Sequence, residues 1–274
     1  MPDQTSRRRF VAALATGSAV STTGCASLVN AADGARASKR PETTTDSHSP
    51  PPDTTPTERR TDQSPSSPTD TGWSADDVEI TRPELSFGSV AVPDDTASPT
   101  MGEATATVTV YGNWKCPYTR EFVLTQLPGL ADDFVRPGDV SVRFRALAYR
   151  GGDPFLGADA PQSARAGLAV WETDPEAFWT YFATVFVNQP QERYEWGTPD
   201  LLARFAAAAG VDDPTAVRRA AAGEAYESRL RQTVASATEH GIWSVPRVEY
   251  DGAVTAPTLD PANTREQFET AAEH

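Results

Sequence analysis

Short segments in which apolar, β-branched and aromatic residues alternate with polar ones predict the strands of this chain. They cover residues 84–92, 104–112, 140–147, 247–250 and 253–256. The last two segments are separated by Asp251-Gly252, a dipeptide that is typical of a tight hairpin turn. A long region without this alternation separates them from the first three, so the predicted sheet joins strands that are distant in the sequence.

Apolar residues spaced three and four positions apart predict a helical region between the third and fourth strands. Its helices cover residues 161–171, 175–187, 200–209, 214–222 and 225–240. We interpret the aromatic cluster between residues 178 and 186 as packing of this region; the alternative is a ligand cage. Two further helices are predicted. One is opened by Pro117 and continues through the helix-like stretch at residues 119–124, and the other covers residues 263–272 with Asn263 or Thr264 as N-cap. The order of elements predicts an α/β fold with an inserted helical block at about residues 158–240.

The first 25 residues are read as a targeting segment. Ser6-Arg7-Arg8-Arg9-Phe10 precedes a weakly apolar run at residues 12–20, and the pattern resembles a twin-arginine export signal. The run is too short to cross a bilayer, which needs about 20 residues. The end of the segment resembles a lipobox in which Cys25 becomes lipidated, although Thr22 stands where Leu is usual. An ordinary cleaved signal with a chance cysteine is the alternative.

Residues 26–75 are rich in Ser, Thr, Pro and Asp. Such a segment buries too little apolar surface to offset the entropy of ordering, so we predict a disordered tether. Residues 76–274 then form the folded domain. With Cys25 lipidated, we expect this domain to be held at the outer face of the cell membrane by its lipid anchor.

The formal net charge is −14, from 38 acidic and 24 basic residues. Lys39 and Lys115 are the only lysines, so 24 − 2 = 22 of the basic residues are arginines. This composition indicates adaptation to high salt; the alternative is an ordinary acidic protein from a GC-rich genome. The negative field disfavours nucleic acid as a partner, because nucleic acid requires clustered basic residues.

Two cysteines do not make a disulfide framework in a domain of this size. The three histidines, His48, His240 and His274, are scattered along the sequence. We therefore expect no metal site. The sequence also lacks a nucleotide or flavin motif, and we expect no cofactor.

The turn between the second strand and the helix after it reads Asn113-Trp114-Lys115-Cys116-Pro117-Tyr118-Thr119. Pro117 suits the first position of a helix, which places Cys116 at a helix N-terminus. That position favours a thiolate, the nucleophilic form of cysteine. Lys115 adds a neighbouring cation, and Thr119 could donate a hydrogen bond to the sulfur. We therefore expect Cys116 to be an activated nucleophile.

From about residue 104 to 272 the chain resembles the DsbA-like thiol–disulfide oxidoreductases, a family with a thioredoxin-like fold and a helical insertion. Three segments carry the resemblance: Lys115-Cys116-Pro117-Tyr118, the aromatic stretch at residues 177–189, and residues 241–248 with the Asp251-Gly252 turn. The resemblance implies that Val245-Pro246 is a cis-proline loop facing Cys116. It also implies catalytic roles for Cys116, Pro117 and Thr119, with Trp114, Tyr118, Val245 and Pro246 on the substrate side.

Two departures from the family pattern affect the expected activity. Thr119 stands where the family's Cys-x-x-Cys motif has its second cysteine, and the strand at residues 108–111 lacks the acid that family members often carry. A single thiol can still attack a disulfide and form a mixed disulfide. The predicted activity is therefore isomerase- or reductase-type exchange with exported proteins that carry cysteines or disulfides. A substrate thiol, a small thiol or an unidentified redox partner would release Cys116.

Other functions remain open from the sequence. A non-catalytic peptide-binding or chaperone-like module could pair Val245-Pro246 with an extended peptide, beside an apolar surface from Trp114, Tyr118 and Trp243. Those aromatics could instead only pack the helix against the sheet. An unlipidated Cys25 could also act as a remote resolving thiol, at roughly millimolar effective concentration. Relatives that use a hydroxyl at the motif for isomerase- or transferase-like chemistry form a further class.

Overall fold

The computed structural model describes residues 72–85, 87, 90–93 and 96–274. The predicted export signal, Cys25 and nearly all of the predicted tether lie outside these residues. Within them, no helix combines the length and the apolar character needed to cross a membrane.

The strands belong to one main sheet and one small hairpin. They are β1 (Thr100–Met101), β2 (Thr107–Gly112), β3 (Ser141–Ala146), β4 (Tyr149–Arg150), β5 (Asp153–Pro154), β6 (Arg247–Tyr250) and β7 (Ala253–Thr255). The main sheet has the order β1-β3-β2-β6-β7, and β4 pairs with β5. Only the β2–β3 pair of the main sheet is parallel; in the antiparallel β2–β6 pair, Val110 lies opposite Val248. The turn that holds Cys116 directly follows the carboxyl end of the central strand β2.

The helices flank this sheet. They are α1 (Pro117–Thr125), α2 (Leu127–Leu130), α3 (Ala160–Thr173), α4 (Pro175–Val187), α5 (Pro199–Ala209), α6 (Pro214–Ala222), α7 (Glu227–Glu239) and α8 (Pro261–Ala272). A π-helical turn, Ala131–Val135, continues α2. Helices α3 to α7 lie between β3 and β6 in the chain, which confirms a thioredoxin-like α/β fold interrupted by a helical block.

Two predicted elements differ from the structure. None of the described residues in the range 84–92 forms a strand. Phe87 instead places its buried ring against Trp179 and Phe182 of α4. Leu85, Val90 and Val92 are partly buried against the same core, so the described residues of this segment pack by their side chains and do not pair in a sheet. The last helix begins at Pro261 with Asp260 as its N-cap, not Asn263 or Thr264, because proline suits the first helical position.

The main core joins one face of the sheet to α4. Val108, Val110 and Phe144 are buried on that face, and the buried aromatic side chains of α4 pack against it. This confirms that the aromatic cluster of α4 packs the helical block. Burial of such apolar side chains is the main favourable contribution to the free energy of folding.

The segment that precedes β1 lies against the helical insertion. The indole of Trp73 stacks on Tyr194, with ring centroids 4.6 Å apart. Arg204 of α5 donates to the backbone carbonyls of residues 75, 76 and 78. Thr81 and Asn188 exchange two hydrogen bonds of 2.7 Å. Residues 72–81 are therefore fixed to the helical insertion, which also borders the Cys116 turn.

Candidate active site around Cys116

Cys116 is the N-cap residue of α1, and Pro117 occupies the first helical position. The amide of Cys116 donates to the carbonyl of Asn113 at 3.1 Å, which closes the turn after β2. The carbonyl of Cys116 accepts the first backbone hydrogen bond of the helix, from Arg120 at 3.0 Å. The structure thus places Cys116 and Pro117 at a helix N-terminus.

The loop before β6 faces the thiol. The peptide bond between Val245 and Pro246 is cis, as the resemblance implied. The thiol of Cys116 donates to the carbonyl oxygen of Val245 over a sulfur-to-oxygen distance of 3.6 Å. Two arginines hold this loop, since Arg247 donates to the carbonyl of Pro246 and Arg150 to that of Trp243. The structure therefore brings together two segments that are more than 100 residues apart in the sequence.

The sulfur lies at the edge of a small apolar cluster. Cys116 is 4% exposed, and its cluster contains the side chains of Tyr111, Leu147, Phe155, Ala237, Ile242 and Val245. These neighbours cover most of the Cys116 side chain.

Thr119 is buried, and its hydroxyl oxygen accepts a hydrogen bond from the amide of Asn113 at 3.3 Å. The sequence led us to expect a bond from Thr119 to the sulfur, but this contact instead ties α1 to the end of β2. A Cβ atom at Gly112 would lie 2.8 Å from the methyl carbon of Thr119 and 2.6 Å from Phe144. The close approach of α1 to β2 therefore requires glycine at position 112.

Two side-chain amides fix the backbone of the turn. Asn113 donates from its side chain to the carbonyls of Leu147 and Phe155, both at 2.9 Å, and accepts from the amide of Lys115. Gln189, just after α4, donates to the carbonyls of Trp114 and Cys116 at 2.7 and 3.3 Å. Gln189 was not predicted as a site residue, and the only signal for it in the sequence is its place at the end of the aromatic stretch.

Lys115 points away from solvent and into the helical insertion. It is 1% exposed, forms an ion pair with Asp159, and donates to the carbonyl of Tyr194 at 3.0 Å. The second carboxylate oxygen of Asp159 accepts from the amide of Gly197 at 2.6 Å. The cation that we expected beside the thiol is therefore compensated by a carboxylate, and Asp159 is a site residue that sequence analysis missed.

The aromatic residues expected on the substrate side separate into two groups. Tyr118 is 60% exposed and Trp243 is 56% exposed, on the two segments that meet at Cys116. Trp114 is only 2% exposed and packs among the aromatic side chains of β3 and α4. For Trp114 the structure thus supports the packing alternative. Val245 and Pro246 are also buried, and the carbonyl oxygen of Val245 accepts the bond from the thiol.

Two ionisable groups near the sheet have shifted pKa values. Burial lowers the pKa of the Arg143 guanidinium on β3, and neighbouring Arg145 lowers it further. Burial raises the pKa of the Tyr149 phenol, and its hydrogen bond to Glu227 acts in the same direction. At neutral pH both shifts preserve the usual charge state. Among the described residues, no group of three or more His, Cys, Asp or Glu side chains could hold a metal ion.

A cysteine at the start of the helix that follows a central strand, facing a cis-proline loop, defines a thioredoxin-type site. The helical block between β3 and β6 distinguishes it from a minimal thioredoxin-like domain. Consistent with this geometry, the family model described as Thioredoxin matches residues 95–271. The chain therefore belongs to the thioredoxin family.

Individual relatives fall in the same class. The chain is 27% identical over 179 residues to disulfide bond formation protein D of Bacillus subtilis, covering 65% of this chain and 78% of the relative. Its structure is similar to that of oxidised BdbD from Bacillus subtilis, with a TM-score of 0.59 and 25% identity over 68% of this chain and 98% of the other. It shares the fold of MdbA, a thiol-disulfide oxidoreductase from Corynebacterium diphtheriae (TM-score 0.53, 22% identity, 72% and 98% covered).

Proposed function

We propose that this protein carries out thiol–disulfide exchange through Cys116. One observation carries the proposal: the sulfur lies at a helix N-terminus and against the carbonyl of Val245 in the cis-proline loop. The helix supplies amides that stabilise a thiolate, and the loop supplies backbone beside which a peptide can lie. The similarity to disulfide bond formation protein D supports the same chemistry.

The exchange proceeds through a mixed disulfide. The thiolate of Cys116 attacks one sulfur of a substrate disulfide, a new sulfur–sulfur bond forms, and the other substrate sulfur leaves as a thiolate. A second thiol then attacks the substrate sulfur of the mixed disulfide and releases Cys116. If that thiol belongs to the substrate, the substrate disulfide is rearranged. If it is a small thiol, the substrate keeps one free thiol and one disulfide to the small thiol, and a second small thiol completes the reduction by leaving with the first as their disulfide.

Tyr118 and Trp243 fit a role in holding the substrate. Both are large, largely exposed side chains, and they lie on the two segments that border the sulfur. Large exposed apolar groups that flank a reactive atom are typical of a peptide-binding surface. In this proposal they contact the residues on either side of the substrate cysteine, whereas the carbonyl of Val245 exchanges its bond with the thiol for one with the peptide.

We further propose that the protein works outside the cell membrane on exported proteins with cysteines or disulfides. The twin-arginine pattern at residues 6–10 supports export, and the lipobox-like end at Cys25 supports a lipid anchor. The excess of acidic residues over lysine supports work in high salt. An unidentified redox partner or a small thiol completes the cycle.

A second candidate function is favoured by Thr119 and by the burial of the sulfur. With no second cysteine at position 119 and a thiol that is nearly covered, the domain could bind extended peptides without chemistry. The two functions differ in one property, because peptide binding would survive the loss of Cys116 whereas exchange would not.

Replacing Cys116 with Ser should abolish covalent capture of a peptide that carries a disulfide to a small thiol. The full chain with Cys25→Ser leaves Cys116 as the only thiol, so any captured peptide reports on that residue. We expect a mixed disulfide that is visible on a non-reducing gel and disappears with a reductant. Noncovalent peptide binding, followed by fluorescence anisotropy, is measured in the same samples. Unchanged binding by both chains with no covalent capture by either would favour the binding module.

A further inference from the structure

We infer that Asp159 controls the reactivity of Cys116 through Lys115, as a positioning and charge-compensating residue. This role rests on the proposed function, because control of the thiolate fraction of Cys116 matters only if Cys116 reacts as a nucleophile. The observation behind it is a buried ion pair, one member of which, Lys115, directly precedes the proposed nucleophile in the sequence. Position 115 is also the only place in the described residues where the basic side chain is a lysine.

The ion pair lies in a chamber with little free space. A Cβ atom at Gly157 would lie 2.5 Å from the ammonium nitrogen of Lys115 and 2.8 Å from the carboxylate of Asp159. A Cβ atom at Gly197 would lie 2.9 Å from the other carboxylate oxygen. The backbone therefore closes around the pair on two sides. Removing one partner would therefore leave the other as a buried charge without an oppositely charged side chain beside it.

The enclosed pair fixes the turn to the insertion. The ammonium of Lys115 reaches Asp159 at the start of α3 and the carbonyl of Tyr194, and Asp159 reaches the amide of Gly197. The amide of Lys115 meanwhile donates to the side chain of Asn113. Lys115 is thus held at both its backbone and its side chain, and Cys116 follows it directly.

Four charged or titratable side chains on the elements that carry or border the thiol have contacts of their own. Arg120 donates to the carbonyl of Phe186, Arg247 to that of Pro246, and Arg150 to that of Trp243. The hydroxyl of Tyr111 bonds to that of Ser236 at 2.7 Å. None of these contacts involves the side chain of Lys115 or of Asp159.

The sign of that change can be tested. Asp159→Asn leaves the ammonium of Lys115 uncompensated, which favours the thiolate, whereas Lys115→Met leaves the carboxylate uncompensated, which disfavours it. In the full chain with Cys25→Ser, thiolate formation is followed against pH by the ultraviolet absorbance of the thiolate, with Cys116→Ser as the blank. We expect Asp159→Asn to raise the thiolate-to-thiol ratio at a fixed pH about tenfold, and Lys115→Met to lower it about as much. The double variant should return close to the parent.

A matched control is available in the ion pair between Arg165 and Glu227, which joins α3 to α7 and is partly buried. Arg165→Met should leave the thiolate titration unchanged, because that pair does not touch the turn. Shifts of the same sign in both single variants, or no shift in either, would overturn the role of Asp159. If the parent titrates as expected but captures no peptide disulfide, the proposed function fails while the role of Asp159 stands.

Discussion

Thr119→Cys should convert the protein from a monothiol into a dithiol that stores a disulfide with Cys116. Positions 116 and 119 are three residues apart at the start of α1, a spacing that brings side chains together on one helix face. After oxidation, this internal disulfide would accept electrons from two substrate thiols, giving a substrate disulfide and the reduced pair. We expect the variant to form this internal disulfide with a chemical oxidant and to pass it repeatedly to a dithiol peptide, whereas the parent chain has no internal disulfide to transfer.

The cost of this substitution is modest and measurable. Sulfur is a weak acceptor, so the amide of Asn113 loses its bond to the hydroxyl of Thr119, which costs about 1–3 kcal/mol if no water replaces it. Loss of free thiols after oxidation, counted with Cys25→Ser in the background, measures disulfide formation. Thr119→Ser is the matched control, because it keeps the hydroxyl and adds no sulfur. Two free thiols in the oxidised, folded variant would contradict the expectation.

Trp114→Ala should destabilise the domain by about 3–5 kcal/mol, the usual cost of truncating a large buried aromatic side chain. The indole of Trp114 stacks on Phe186 with ring centroids 5.4 Å apart, and it meets the edges of Phe144 and Phe182 at 5.5 Å. It also contacts Tyr181, whose phenol has its pKa raised by burial. Denaturant unfolding measures the change as a lower midpoint with an unchanged slope.

Trp243→Ala is the control for this variant. Trp243 is exposed beside the cis-proline loop, so its removal should change the free energy of unfolding by less than about 0.5 kcal/mol while weakening peptide capture. The opposite pattern, with Trp114→Ala as stable as the parent but defective in capture, would return Trp114 to the substrate surface.

The helices could be predicted from the sequence because their signals are local. Proline at the first helical position and apolar residues on one face gave the bounds of α4 and α6 as the structure has them. The strand pattern at residues 84–92 misled because its apolar side chains, among them Phe87, pack against the core while none of the described residues pairs in a sheet. Periodicity does not distinguish these two kinds of burial. The two-residue strand β1 is too short to produce a pattern.

The site was predictable where a motif defines it and not where distant residues meet. Cys116, Pro117 and the cis bond before Pro246 lie in recognisable segments. The direction of Trp114 depends on Gly167 in α3, where a Cβ atom would lie 2.5 Å from the indole. The partner of Lys115 depends in the same way on how the insertion folds back over the turn. Side chains in a turn have no periodicity that would show which of them are covered.

Because Lys115 is enclosed, its side-chain amine should react with acylating reagents only when the domain opens locally. Every other basic side chain from residue 72 onward is an arginine or a histidine, and acylating reagents that modify lysine do not react readily with arginine. The amine of Lys115 is covered as long as its pair with Asp159 is closed. Acylation at this position, located by peptide mapping, therefore records each opening of the segment next to the nucleophile. The rate of acylation of Lys115 therefore measures how often the segment next to Cys116 opens.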